Sequence, residues 1–325
     1  MDNLKNVGVI GTGSFLPENI ITNHDLEKQV DTSDEWIVSR TGIKERRFVN
    51  KDVSTSDLGY KAGKKAIEAA NLNPEDIDLI IVATMTPDMI MPSTACIVQD
   101  KLNAKNAAAF DVSAACSGFL YGLTIGNQMI NSGLYENVLL IGAEVMSKVL
   151  DMDDRNTCVL FGDGAGAVVL GEVDKGKGIL STELGADGTG SDYLGIPAGG
   201  TKNPATHKTV DDKMHYLKMA GKGVFKFAVR AMGNSSLEAV KKADLELKDI
   251  DYMVPHQANI RIIQSAAKRM NLSMDKVKVN LEKYGNVSAG SIPIALDEAV
   301  RNNEINEGDN VVLVGFGGGL TWGSC

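Results

Sequence analysis

Short apolar runs with the length of buried strands alternate with stretches whose apolar residues recur at helical spacing. The alternation passes along the chain twice. Strands are predicted at 6–10, 78–83, 107–112, 137–141 and 167–170, then at 179–184, 252–254, 277–279 and 310–315. Helices are predicted at 54–70, 93–102, 116–132, 221–243, 259–270 and 289–302. Strands that alternate with helices imply an α/β architecture, because the apolar faces of a sheet must be covered and intervening helices do the covering. At 325 residues the chain is long enough for two domains or one large duplicated one. Each half carries a strand that delivers a polar residue to a helix start, from Asp111 to Cys116 and from Tyr252 to His256. Each also has a glycine-rich turn beside a late strand, at 162–166 and 315–319. The polar turn Asp174-Lys-Gly-Lys-Gly178 marks a junction near 175, so the expected halves are 1–175, with the Cys, and 176–325, with the His.

Composition narrows the function. The formal net charge of −9 argues against a generic nucleic-acid binder. The four cysteines have no paired spacing, which argues against a disulfide framework or a metal site. Met1-Asp-Asn-Leu-Lys5 has no leader layout and no apolar run nears the length of a membrane span, so a cytoplasmic protein without membrane association is expected. Gly11-Thr-Gly13 lacks the third glycine and the helix of a dinucleotide fingerprint, and Gly162-Asp-Gly164-Ala-Gly166 lacks the Lys-Ser/Thr of a phosphate loop. Asp151, Asp153 and Asp154, beside Arg155, read as an exposed acidic turn; His207 and His215 read as surface residues, and Cys96 and Cys158 as core.

Three residues remain at element junctions. Cys116, in Asp111-Val-Ser-Ala-Ala-Cys116-Ser-Gly-Phe119, lies where a strand turns into a helix. Free N–H groups and the positive end of the helix dipole there favour an anion, so a lowered thiol pKa and a nucleophile are expected. A buried structural Cys is the other reading of an isolated thiol. His256, in Val254-Pro-His-Gln-Ala-Asn259, follows a short strand, and Asn286 sits in the turn Tyr284-Gly-Asn-Val-Ser288 before a helix. A thiolate can take an acyl group from a thioester, and neutral donors such as His Nε2–H and the Asn amide can stabilise the enolate left when a malonyl thioester loses CO2. The glycines of Phe316-Gly-Gly-Gly319 could join the Cys116 N–H in an oxyanion hole, or merely close a sheet.

With these motifs stand Asp34-Glu-Trp-Ile-Val-Ser-Arg-Thr-Gly-Ile-Lys-Glu-Arg-Arg47, the segment 154–166 and Met219-Ala-Gly-Lys-Gly-Val-Phe225. Together they cover nearly the whole chain, and the sequence resembles the β-ketoacyl-acyl carrier protein synthase III family of the thiolase superfamily. The resemblance implies a five-layered αβαβα fold of two similar halves and a homodimer. It implies a ping-pong reaction: a short acyl-CoA, acetyl-CoA by default, loads Cys116, and malonyl-acyl carrier protein then decarboxylates and condenses to a 3-oxoacyl product that begins type II fatty-acid synthesis. Cys116, His256 and Asn286 fall at the family's catalytic positions, and Cys116 and Gly318 at its oxyanion positions. Trp36, Arg40, Thr41, Arg155, Gly221 and Asn259 fall at its CoA site, with Trp36 and Arg155 clamping the adenine by stacking and cation–π attraction. No cofactor is implied, since the CoA thioester is a substrate.

An acidic carrier protein needs a basic patch on this acidic chain. Arg261, Lys268 and Arg269 share one helix face, and Lys226 and Arg230 repeat the idea; Gln257 is grouped with them, although an ordinary solvated face has the same pattern. The family's acyl-pocket gate falls in 85–92, where Met91 stands at the gate position and its flexibility would admit a somewhat larger primer. The family's final strand is in doubt, because relatives continue past the Trp-Gly-Ser that here leads to Cys325. Rival readings are a related condensing enzyme of secondary metabolism, of the polyketide-starter or alkylquinolone type, and a non-enzymatic acyl-CoA-binding protein. The second would not need both His256 and Asn286.

Overall fold

The first half runs β1 (Val7–Phe15), β2 (Ile20–Thr22), α1 (Asn23–Glu27), α2 (Asp34–Thr41), β3 (Glu45–Arg47), α3 (Thr55–Ala69), β4 (Leu79–Ala83), α4 (Thr94–Leu102), β5 (Ala108–Val112), α5 (Gly118–Asn131), β6 (Val138–Glu144) and β7 (Gly164–Glu172). The second runs β8 (Glu183–Ala186), β9 (Leu194–Gly195), α6 (His207–Asp211), β10 (Lys218–Met219), α7 (Gly221–Lys242), β11 (Tyr252–Pro255), α8 (Ile260–Arg269), α9 (Leu281–Tyr284), α10 (Ser291–Arg301), β12 (Val311–Gly317) and β13 (Thr321–Ser324). The structure, a computed structural model, describes residues 5–325. Residues 1–4, on which the reading of the N-terminus partly rests, lie outside it.

The two halves repeat one sheet. The first has the order β1-β7-β6-β4-β5, with the β1–β7 and β7–β6 pairs antiparallel and β6–β4 and β4–β5 parallel. The second has the order β8-β13-β12-β11, again with two antiparallel pairs and then a parallel one. Its fifth position is held by a single parallel bridge, Met253 to Val277. The strand expected at 277–279 is thus reduced to that bridge, which Lys278 N–H extends to Met253 O at 2.9 Å. The strand expected at 179–184 starts later, as β8.

Helices α5 and α10 touch both sheets and form the middle layer, α3 and α4 cover the first sheet, and α7, with α8 against it, covers the second. This is the five-layered αβαβα arrangement. Apolar side chains fill the space between layers: Leu123, Leu140, Val254 and Ile292 meet between the sheets, and Leu58, Ile80, Val98 and Val169 meet under α3 and α4. Gly11 and Gly13 serve this packing, because a Cβ on either would collide with the backbone of α3. Their place inside β1 removes any nucleotide reading.

β13 is internal, paired with β12 on one side and β8 on the other, and Cys325 exchanges both backbone bonds with Leu313 at 2.9 Å. Beyond Cys325 an apolar cavity of about 490 Å³ lies between 179–181 and 311–313. Cys158 is core as expected; Cys96 is not, since its place on α4 faces outward. Asp151 also departs from the exposed-turn reading: it is buried and held by Lys213 at 3.0 Å and Lys218 at 3.7 Å. His215 is half-buried, its Nε2 2.9 Å from Thr209 Oγ1, whereas His207 is exposed.

Candidate active site

Cys116 sits in a 3₁₀ turn, Ala115–Ser117, that precedes α5. Ala115 has φ +47°, an uncommon conformation for a residue with a Cβ, which lifts the thiol out of the line of β5. Thr321 Oγ1 lies 2.6 Å from Ser117 Oγ and 3.1 Å from the carbonyls of Ala114 and Gly318, so β13 ties this turn to the glycine-rich one. Only glycine fits at 317, where a Cβ would come 2.6 Å from Cys116 N. A cavity of about 300 Å³ opens on Cys116, walled by Met85, Phe161, Leu194, Leu217 and Gly318.

His256 and Asn286 do not line that cavity themselves; two links bring them to Cys116. His256 follows β11, its N–H donating to Val314 O at 2.8 Å, with its ring edge-on to Phe316 at 5.4 Å. A Cβ on Gly315 would lie 3.4 Å from His256 Cβ. Gly315 and Gly317 are two residues apart and so share a face of β12, roughly 7 Å apart. The same strand face therefore receives both His256 and the Cys116 turn. Asn286 forms a parallel bridge with Phe161, and the following turn, Ser288–Gly290, packs on Ala115–Ser117. Asn286 Oδ1 accepts from Ser288 N–H at 2.8 Å, which fixes the amide and turns Nδ2 away as a donor.

The electrostatics correct one expectation. Burial pushes the Cys116 thiol up to about 12; a hydrogen bond from Ser288 offsets part of this and the charge of Glu144 adds to it. The thiol expected to be acidic is thus raised instead, because enclosure in a low-dielectric site disfavours the thiolate. Burial also drives the His256 imidazole down to about 3, so the ring is neutral, and both its nitrogens are buried without a partner among the described residues. Cys, His and Asn are therefore all uncharged.

Two residues that the sequence reading missed stand behind them. Glu144, at the end of β6, is fully buried, and burial raises its carboxyl to about 7. It accepts from Ser288 Oγ at 2.9 Å and Thr86 Oγ1 at 2.5 Å, and from the N–H groups of Met85 and Thr86. Ser288 has φ +47°, matching Ala115 opposite it. A carboxylate closing an otherwise apolar run was the signal available.

The expected CoA residues gather near α2. Trp36 lies between Arg40, at 4.7 Å, and Arg155, at 5.0 Å. A stacked base needs roughly 7 Å between its two neighbours, so Arg155 must swing off Trp36 to admit one. Asn259 caps α8 and its Nδ2 donates to Arg40 O at 2.8 Å; Gly221 is exposed at the start of α7. Thr41 departs from the expectation: it is buried, its hydroxyl donating to Ile37 O at 2.7 Å and accepting from Ile43 N–H at 3.0 Å. Lys226, Arg230, Arg261, Lys268 and Arg269 are exposed on the packed pair α7 and α8, with Arg261 bonded to Ser39 O at 2.7 Å. Gln257 is not on that surface. It is buried, and its amide bonds Pro255 O, Lys278 O and Asn280 N–H. Met91 does not line the Cys116 cavity either: it is 84% exposed on the loop before α4, beside Ile90 at 89%. Among the described residues no helix is long and apolar enough to cross a membrane.

Two repeated αβ halves, with a buried thiol and a neutral imidazole carried on one strand face where they meet, define a thiolase-like condensing acyltransferase. Comparison with known proteins takes this further. Residues 110–188 match the family described as 3-oxoacyl-[acyl-carrier-protein] synthase III, and residues 240–325 match its C-terminal domain. The chain is 62% identical over 317 residues to the beta-ketoacyl-[acyl-carrier-protein] synthase III of Clostridioides difficile (strain 630), covering 98% of this chain and 96% of that one. The crystal structure of the 3-oxoacyl-[acyl-carrier-protein] synthase III from Aquifex aeolicus VF5 superposes with a TM-score of 0.91 at 47% identity, over 98% of both chains. A priming β-ketosynthase from the R1128 polyketide pathway superposes as well, with a TM-score of 0.92, but at 35% identity over 100% of this chain and 96% of that one. The chain belongs to the β-ketoacyl-[acyl-carrier-protein] synthase III family, and the secondary-metabolism alternative is not favoured.

Proposed function

We propose that the enzyme loads a short acyl group from acyl-CoA onto Cys116 and condenses it with malonyl-acyl carrier protein, acetyl being the default primer. Cys116 sulfur attacks the thioester, CoA leaves with a proton, and the acyl chain enters the cavity walled by Met85, Phe161, Leu194 and Leu217. The malonyl thioester then accepts hydrogen bonds from His256 and Asn286. Loss of CO2 puts negative charge on its oxygen, where neutral donors in a dry site stabilise it strongly. The enolate carbon attacks the acyl-Cys116 carbonyl, whose oxygen meets the N–H groups of Cys116 and Gly318. Expulsion of the sulfur releases the 3-oxoacyl product. The observation that carries this reading is the uncharged, buried His256 on the same strand face as Cys116.

CoA is assigned to Trp36, Arg40, Arg155, Gly221 and Asn259, and the carrier protein to the cationic face of α7 and α8. The reading treats 1–175 as the half with the nucleophile, 176–325 as the half with the donors, and the protein as cytoplasmic. The homodimer is supported by the edge strand β5, which pairs on one side only and leaves Ala108–Val112 incompletely buried, and by the exposed apolar residues Met89, Ile90 and Met91 nearby. Met91 would then gate the partner's pocket. A monomer in sedimentation would remove both statements.

Intact-mass measurement after acetyl-CoA tests the core of the proposal. One acetyl group on Cys116 is expected, none on Cys116→Ser, and retained loading with loss of CO2 release in His256→Ala and Asn286→Ala. Decarboxylation that survives both of these substitutions would reject the donor roles.

A further inference from the structure

Cys116 lacks an evident base. Burial disfavours its thiolate, and the His256 imidazole is a poor proton acceptor with no hydrogen bond to any described group. On its other side the Ser288–Gly290 turn packs against the Cys116 turn, with Ser288 beside the thiol and its Oγ 2.9 Å from Glu144 Oε1. Glu144 is a carboxylate buried behind this pair. Its partners are the hydroxyls of Thr84, Thr86 and Ser288 and the N–H groups of Met85, Thr86 and Ala289, with no cation among them. A buried charge held by neutral dipoles alone is costly to keep, which is the circumstance in which a carboxylate takes up a proton readily.

We propose that Glu144 receives the Cys116 proton through the Ser288 hydroxyl when the enzyme is acylated. The step rests on the reading of Cys116 as the acyl carrier. A hydroxyl has one proton. While Ser288 donates it to Glu144, its oxygen can only accept, so it is free to take the Cys116 proton. On activation the Cys116 S–H bond breaks and that proton bonds to Ser288 Oγ. The original Ser288 proton passes to Glu144 Oε1, and the negative charge moves from the carboxylate to the sulfur. The renewed Ser288 O–H now points at the thiolate and stabilises it. When CoA departs as a thiolate, the proton returns by the same route to the leaving sulfur, so no outside acid or base is consumed. Ser288 is the group in contact with the reacting atom, and Glu144 is a positioning residue that works through it. The Ser288 backbone separately holds Asn286 Oδ1, so the donor side of the site does not depend on the hydroxyl. The raised carboxyl of Glu144, against the depressed imidazole of His256, makes Glu144 the stronger base of the two.

The test is single-turnover loading from acetyl-CoA, followed by intact mass between about pH 5.5 and 9, with Glu144→Gln and Ser288→Ala beside the wild type. The wild-type rate should rise through pH about 7 as Glu144 becomes free to accept. Both variants should load roughly 10²-fold more slowly at neutral pH, the low end for a lost proton transfer, and should lose that limb of the profile. If Glu144→Gln fails to fold, Ser288→Ala decides alone, since every other bond of Glu144 is kept. A folded Ser288→Ala enzyme that loads at the wild-type rate overturns the relay. So does an equal slowing at every pH with the limb intact, which would mark a structural role. Absence of acetyl on wild-type Cys116 would instead defeat the reading of Cys116 itself, before any variant is compared.

Discussion

Gln257 separates a docking role from a structural one. Its Nε2 donates to Pro255 O at 2.8 Å and Lys278 O at 3.0 Å, and its Oε1 accepts from Asn280 N–H at 3.0 Å. These bonds tie the strand end that delivers His256 to the segment leading into α9 and Asn286. Gln257→Ala would leave two buried carbonyls and one N–H without partners, at about 1–3 kcal/mol each. Partial relaxation makes a loss of about 4 kcal/mol reasonable. For 325 residues at about 2 cal/mol/K each, the unfolding entropy is about 0.7 kcal/mol/K, so the melting temperature should fall by about 6 °C. Melting followed by circular dichroism at several scan rates measures this, and KM for malonyl-acyl carrier protein supplies the contrast. A melt within about 1 °C of wild type, with only that KM raised, would refute the burial argument and restore Gln257 to the docking surface.

The cationic face makes its own prediction: Arg261→Glu with Arg269→Glu should raise KM for malonyl-acyl carrier protein, more at low salt than at high, while CoA-dependent loading survives; equal losses in the two half-reactions would dismiss this face. Arg261 also bonds Ser39 O, so Lys268→Glu, which perturbs no such contact, serves as the cleaner comparison. Stability against pH should expose two opposed titrations. His256 is depressed from 6.5 to about 3, so between those values the unfolded chain binds the extra proton and stability falls as pH falls, by up to about 1.4 kcal/mol per unit. Glu144 is raised from 4.5 to about 7, so there the folded chain binds the extra proton and stability falls as pH rises. Glu144→Gln should therefore show a steeper loss toward acid in urea unfolding between about pH 6.5 and 4.5, and a curve parallel to wild type would contradict the raised carboxyl.

Much of the architecture was legible because buried strands such as Leu79–Ala83 and Val138–Glu144 are continuous apolar runs, which only a sheet covered on both faces produces. Cys116 and His256 were legible because each interrupts such a pattern at a strand end. The strands that escaped have physical reasons to do so. β13 is four residues with a glycine, held by pairing on both sides and not by its own propensity; the opposite miss is 277–279, expected as a strand but keeping a single bridge. Burial of polar groups was the main blind spot. Gln257, Thr41 and Glu144 look like surface residues, and only tertiary partners absent from the local sequence make their burial tolerable. Cys96 shows the reverse: its neighbours are apolar, but its rotation on α4 faces it outward.

The charge balance of the site follows from where its one carboxylate lies. Had Glu144 faced the cavity directly, it would have repelled both an incoming malonyl group and the enolate it becomes. Set behind Ser288, it meets only hydroxyls and N–H groups, while the His256 imidazole, on the strand face shared with the Cys116 turn, carries no charge. Decarboxylation wants donors that gain strength as negative charge appears, and acylation wants a thiol that can be stripped of its proton. These demands conflict if one residue must meet both, because a His256 protonated by Cys116 would hold its proton against a neighbouring thiolate and leave the donor side altered between half-reactions. Dividing them between two faces of the Cys116 turn removes the conflict. The left-handed residues Ala115 and Ser288, one on each of the abutting turns, are the backbone distortions that make the division possible.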